Sequence, residues 1–82
     1  MPWFVYMVRC RDGSLYTGIT TDVQKRLAQH NAGSGAKYTR THGPVVVAHQ
    51  ESVADESAAR KREAEIKRWT KQKKETFLAT VV

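Results

Sequence analysis

Residues Phe4 to Asn31 read F-V-Y-M-V-R-C-R-D-G-S-L-Y-T-G-I-T-T-D-V-Q-K-R-L-A-Q-H-N, and this stretch decides the fold. Trp3 to Cys10 is aromatic and branched, as strands are, Asp12-Gly13 supplies a turn, and Ser14 to Ile19 forms a second strand. A β-hairpin follows, and its loop length decides which side chains share a face. A two-residue loop of Asp12 and Gly13 would put Arg11 opposite Ser14 and send Tyr6 and Tyr16 to opposite faces. A three-residue loop, Arg11 to Gly13 with Gly13 left-handed, instead puts Cys10 opposite Ser14, Val8 opposite Tyr16 and Tyr6 opposite Gly18. Gly13 suits the left-handed position, so this second register is expected, with both phenols on one face. Gly18 then leaves bare backbone beside Tyr6, where another group can approach closely.

Asp22 stands directly before Val23 and Leu27, one helical turn apart, and Thr20, Thr21 or Asp22 can cap a helix running to about Asn31. Arg26 and His30 are also four apart, on a stripe next to the apolar one, so they can reach the same spot. Ala32 to Gly43, A-G-S-G-A-K-Y-T-R-T-H-G, is polar and without periodicity and is expected to be a loop carrying Lys37, Tyr38, Arg40 and His42. Basic residues and an aromatic on a loop suit gripping phosphates and stacking a base, although a plain solvated connection has the same composition. After Pro44 comes a third strand, Val45 to Gln50, whose consecutive valines point to a buried central position.

Ser52 or Asp55 can cap a second helix with Ala59, Ile66 and Trp69 on its inner stripe. Glu63 lies four after Ala59 and three before Ile66, so a carboxylate projects from the face that meets the sheet. Glu65, between Lys61 and Arg68, has the spacing of an ordinary solvated ion-pair partner. Thr70 can cap a last helix with Phe77, Leu78 and Val81 inward and Lys71, Lys73 and Lys74 outward. The order strand, strand, helix, strand, helix, helix predicts one α+β domain over residues 1–82, a three-stranded antiparallel sheet flanked by helices.

At 82 residues the chain buries only about two-thirds of its unfolded surface, so any site is an open groove and not a closed cavity for a large cofactor. Fourteen Lys and Arg against eight Asp and Glu give a net charge of +6, densest between Arg60 and Lys74. Such an excess attracts polyanions, nucleic acid above all. The single cysteine, Cys10, makes no internal disulfide and no metal-ligand set, and it reads as a small core residue. No basic n-region with an apolar run opens the chain and no apolar stretch approaches a membrane span, so a cytoplasmic protein without membrane association is expected.

Tyr6, Tyr16, Arg26, His30 and Glu63 would point at one place, and each has a task in cutting a phosphodiester. Attack of water on phosphorus builds negative charge on oxygen, which a guanidinium and a divalent cation stabilise. Arg26 and a cation on Glu63 fit those parts. A phenol can take the water's proton only if ionised, which a nearby arginine and metal would favour by lowering its pKa, so Tyr6 or His30 could be the base. A lone carboxylate is a weak metal site that Mg²⁺ (or Mn²⁺) tolerates, because waters and substrate phosphate complete its octahedron.

F-V-Y at Phe4 to Tyr6, Y-T-G at Tyr16 to Gly18, R-L-x-x-H-N at Arg26 to Asn31 and E-x-x-I-K-R-W at Glu63 to Trp69 together resemble the GIY-YIG nuclease domain over nearly the whole chain. The likeness is closer to small stand-alone bacterial members, related to the N-terminal domain of the nucleotide-excision-repair endonuclease and to the nuclease of structure-specific resolvases. It implies a three-stranded antiparallel sheet with flanking helices and a metal-dependent endonuclease acting on DNA, in repair or recombination. It further implies that Tyr6 acts as, or helps form, the general base and that Tyr16 orients water or phosphate. By the same resemblance Arg26 binds the scissile phosphate, His30 is the polar residue one turn on, and Glu63 holds the metal. Lys37, Tyr38, Arg40, Lys67 and Lys71 are the expected nucleic-acid contacts. The chain departs from the repair-endonuclease branch at Ile19, where that branch has lysine, and in having no asparagine after Asn31. Two alternatives stand beside the enzyme: a non-catalytic nucleic-acid-binding module that keeps the groove, and a nuclease that is active only with a partner protein.

Overall fold

The computed structural model describes residues 2–33 and 43–80. Strands β1 (Trp3–Cys10) and β2 (Leu15–Thr20), helix α1 (Val23–Asn31), strand β3 (Val45–Val53) and helices α2 (Glu56–Lys67) and α3 (Lys71–Thr80) follow one another in the expected order. The sheet is antiparallel with strand order β2-β1-β3. The expected loop residues Lys37, Tyr38, Arg40 and His42, and Val81, lie outside the described residues.

The hairpin takes the register with the longer loop. Tyr6 pairs with Gly18 and Val8 with Tyr16. Gly13 has φ of 88°, and the Cys10 amide donates to the Ser14 carbonyl at 2.8 Å to close the loop. The loop is tied down from the other side of the molecule: Arg9 donates to the Gly13 carbonyl at 3.0 Å and reaches both carboxylate oxygens of Glu75 on α3 at 2.9 and 2.7 Å.

The central strand is β1 and not the expected β3. A continuous apolar run marks burial on both faces, and the run that carries this burden is Val5 to Val8, where every residue is buried. The valines of β3 are divided by position: Val45 is buried, whereas Val46 is 63% exposed at the sheet edge. A bulge shifts the β1–β3 pairing between Met7 opposite His49 and Val8 opposite Val47. It leaves Ala48 unpaired, so Val45 and Val47 join the face of Tyr6 while His49 turns to the opposite face and meets Phe77 edge-on at 4.9 Å.

Two cores result, one on each side of the sheet. Val5 and Met7 pack against Ala59 and Ile66 of α2, with Trp69 and Leu78 partly buried around them. On the other side Tyr6, Val8, Cys10 and Val45 pack with Tyr16, Leu27 and Val47. Helix starts follow local chemistry: the carboxylate of Asp22 accepts from the Lys25 amide, Asp55 from Ala58, and the hydroxyl of Thr70 from Lys73. Ser52 stays in β3, which runs three residues further than expected.

Thr17 is paired with Met7 and therefore lies on the side covered by α2. It is 3% exposed, and its hydroxyl has no hydrogen-bond partner among the described residues. Burying an unpaired hydroxyl costs free energy that an isosteric methyl avoids. Thr17→Val is expected to stabilise the fold by about 1 kcal/mol, read as a rise in the urea midpoint at unchanged m-value. A loss of stability would contradict the orphaned hydroxyl.

Candidate active site

The face of the sheet that carries Tyr6 is covered by α1, and three anchors place that helix. Asp22 caps its start, Leu27 packs into the core, and Asn31 at its end grips β3. The Asn31 side chain accepts from the Val45 amide at 2.7 Å and donates to the Val45 carbonyl at 3.1 Å, as a neighbouring strand would. His30, one residue before this clamp, is thereby pressed onto the tyrosines and is 1% exposed.

The Tyr6 phenol is also 1% exposed and lies 2.9 Å from His30 Nε2. The Tyr16 ring meets His30 edge-on, with centroids 5.5 Å apart. What approaches Gly18 is the phenol itself: a Cβ built at Gly18 would stand 2.5 Å from Tyr6 Oη and 2.7 Å from Cζ. Glycine is thus required here to let the ring lie flat across β2.

Arg26 is half-buried one turn before His30 and donates to Gln29 Oε1 at 3.0 Å. Glu63 reaches the site from α2, its side chain 21% exposed and 3.2 Å from the Lys67 ammonium, which in turn sits 6.0 Å from the centre of the Tyr16 ring. Among the described residues the ion-pair partner of Glu63 is Lys67, and neither Arg26 nor Arg62. Arg62 instead bonds Glu51 at 3.0 Å and takes Glu65, the carboxylate expected to serve Lys61 or Arg68.

Burial pushes the Tyr6 phenol above its usual range, and the charges of Tyr16 and Glu63 push the same way. The Arg26 guanidinium, by hydrogen bonding and by charge, pulls it down but does not win. The expected lowering by arginine is real in sign and outweighed by desolvation, because the ring is inside the core and not on its rim. His30 moves below the usual imidazole value, first through burial and then through the charge of Arg26. At neutral pH the contact thus joins a protonated phenol to a neutral imidazole, with the direction of donation set by the tautomer.

Tyr6, Tyr16, Arg26 and His30 gather on or beside this face, whereas Glu63 stands on α2, which packs on the other side of the sheet. Glu63 is linked to them by Lys67 beside Tyr16 and by its charge on Tyr6. Lys67 is present too, but as the partner of Glu63. Lys71 stands apart, exposed at the start of α3, where its charge acts on Glu75. Asn31 and Gln29 hold His30 and Arg26 in place, roles that sequence reasoning missed. The spacing of Glu63 and Lys67 and of Arg26 and Gln29 was the available signal.

Residues 2–76 match the family of the GIY-YIG catalytic domain. The chain belongs to the GIY-YIG family. It is similar to a UPF0213 protein of Staphylococcus haemolyticus, 55% identical over 71 residues that make up 87% of each chain. A UPF0213 protein of Haloquadratum walsbyi is 56% identical over 72 residues, 88% of this chain and 81% of its own. Two solution NMR structures share the fold. A UPF0213 protein from Bacillus halodurans aligns with a TM-score of 0.64 at 40% identity, over 99% of this chain and 86% of that one. A protein from E. faecalis aligns with a TM-score of 0.65 at 43% identity, over 98% and 85%. The resemblance to small stand-alone GIY-YIG proteins therefore holds, and a nuclease family with nucleic acid as its class of substrate is the frame for the site. Among the described residues no helix is long and apolar enough to cross a membrane.

The donor set limits what cation the site suits. Among the described residues no three His, Cys, Asp or Glu side chains gather to hold a metal. An ion that needs several protein ligands has no cage among the described residues, whereas one carboxylate fits a hard cation whose shell water completes.

Protonating His30 opposes the fold, because its pKa is below 6.5 in the folded protein. As pH falls through 6.5 the unfolded chain binds this proton first, so stability drops, by at most about 1.4 kcal/mol per pH unit for one group. Urea unfolding between pH 7.5 and 5.5 should therefore show a steeper loss for the parent chain than for His30→Gln, and equal slopes would contradict a buried neutral histidine.

Proposed function

We propose that the protein is a metal-dependent endonuclease that hydrolyses phosphodiester bonds in DNA, serving repair or recombination in the cytoplasm. The observation that carries this reading is the 2.9 Å contact between Tyr6 and His30, set beside Arg26 and Glu63 in a GIY-YIG chain. A phenol held protonated by burial is a poor base by itself. With a neutral imidazole on its oxygen it becomes a relay: Tyr6 gives its proton to His30 Nε2 as it takes one from the attacking water. His30 is neutral at neutral pH, and in the tautomer with its proton on Nδ1 its Nε2 accepts from the phenol, while Asn31 fixes the helix that presents it.

Arg26 faces the same spot with a guanidinium that binds a non-bridging phosphate oxygen and meets the charge that grows on it. Tyr16, edge-on to His30, orients the water or the phosphate. Glu63 would hold Mg²⁺ (or Mn²⁺), which when bound supplies further stabilisation of oxyanion charge. Lys67 balances that carboxylate in the free protein and swings to a backbone phosphate when the substrate arrives.

Purified protein incubated with single-stranded, duplex and branched DNA in Mg²⁺, Mn²⁺ or EDTA provides the test. Cleavage is expected with metal only, with Glu63→Ala inactive and Arg26→Ala slower by about 10²- to 10³-fold, as for loss of one charge-stabilising donor. No cleavage of any substrate, or a Glu63→Ala protein that cuts as well as the parent, would sink the mechanism. A binding module would instead hold DNA in a strongly salt-dependent way that Glu63→Ala leaves unchanged.

A further inference from the structure

The turn between α2 and α3 builds a second concave surface, on the side of the sheet away from Tyr6. The Trp69 amide donates to the Ile66 carbonyl at 3.0 Å as α2 ends, and Thr70 caps α3 immediately afterwards, so the indole is held on a short, fixed corner. Trp69 and Phe77 lie 5.1 Å apart at 58° and form the floor of an open groove of about 570 Å³, walled by Arg62, Gln72, Lys73 and Thr76.

Among the described residues no acidic side chain lines this groove. Its two cations differ in what they can do. Arg62 lies 5.3 Å from the Trp69 ring and is pinned from behind by Glu51 and Glu65, so it is a fixed wall. Lys73 rests its ammonium 4.9 Å over the same ring and pairs with no carboxylate among the described residues. A cation parked on an indole face exchanges that contact for a phosphate at little cost, which uncovers the ring for a planar partner.

We propose that this groove is a subsite for one unpaired base of single-stranded DNA, stacked on Trp69 with its phosphate held by Lys73. An aromatic floor with a mobile cation at its rim, in a chain of net charge +6, is the chemistry that takes a base and its phosphate together. The subsite rests on the nucleic-acid reading of the Tyr6 face and extends it. Lys67, beside Tyr16, is two residues before Trp69, hence at most about 7 Å away along the chain. A strand crossing the Tyr6 face past Lys67 therefore arrives at the groove around the end of α2.

The test is a titration of the full ¹⁵N-labelled chain with an eight-nucleotide thymidine strand, in EDTA and low salt so that nothing is cut. The Trp69 indole N–H and the Lys73, Thr76 and Phe77 amides are expected to shift. Lys73→Ala should weaken binding and reduce the salt slope by about one phosphate contact. Trp69→Ala should weaken it by about five- to 150-fold, the loss of one stacked base. Because Trp69 also touches the core, the exposed Lys73 decides the matter if Trp69→Ala does not fold. Shifts confined to Tyr16, Arg26, Gln29 and Glu63 would overturn the subsite and leave the reading of the Tyr6 face intact. Shifts nowhere would overturn both. Equal groove shifts with a fully paired hairpin, or groove shifts that follow protein concentration without DNA, would also overturn it, the latter marking the groove as a contact between copies of this chain.

Discussion

The rest of the site depends on one buried contact, the Tyr6 phenol lying across Gly18 with its oxygen on His30. Three elements must agree for it to exist. The hairpin must close with the longer loop so that Tyr6 faces Gly18, β2 must offer backbone without a Cβ at that point, and α1 must end where Asn31 can grip Val45. A register slip of one residue would send the two tyrosines to opposite faces of the sheet. The ion pair of Arg9 with Glu75, which also holds the Gly13 carbonyl, guards against that slip from the opposite side of the sheet.

Desolvation gives the contact its chemistry. A tyrosine at the rim, next to Arg26, would be lowered toward ionisation. Buried as it is, Tyr6 holds its proton and His30 stays neutral. Neither group is a strong base alone, and the proposed relay has the phenol hand its proton to the imidazole only as it takes one from the attacking water. The basic surface acts at longer range, raising the local concentration of a polyanion without choosing where it reacts. In the proposed mechanism choice of position falls to Arg26 and Glu63, which stand on different helices, α1 and α2, and both act on the charge of Tyr6.

Much of this was legible in the sequence. Asp12-Gly13 and the period-two pattern gave the register, Asp22 and Asp55 marked helix starts, and the spacing of Arg26 with His30 put them on one stripe. Strand order was not, since an apolar run reports burial and not neighbours, and the valines of β3 are shared between a bulge, a core and an exposed edge. The direction of the Tyr6 shift was hidden for a related reason. Sequence shows which charges are near, but the depth of a ring is a property of the packed core. The spacing of Glu63 puts a carboxylate on the inner stripe of α2, but its ion pair with Lys67, one turn on, is visible only in the fold.

The central claim is that Tyr6 and His30 act as one proton relay, and a double-mutant cycle on the metal-dependent cleavage rate tests it most directly. Tyr6→Phe, His30→Ala and the double variant should lose the rate by nearly the same factor, because either change breaks the whole relay. Losses that multiply in the double variant would show two groups working independently and would contradict the account.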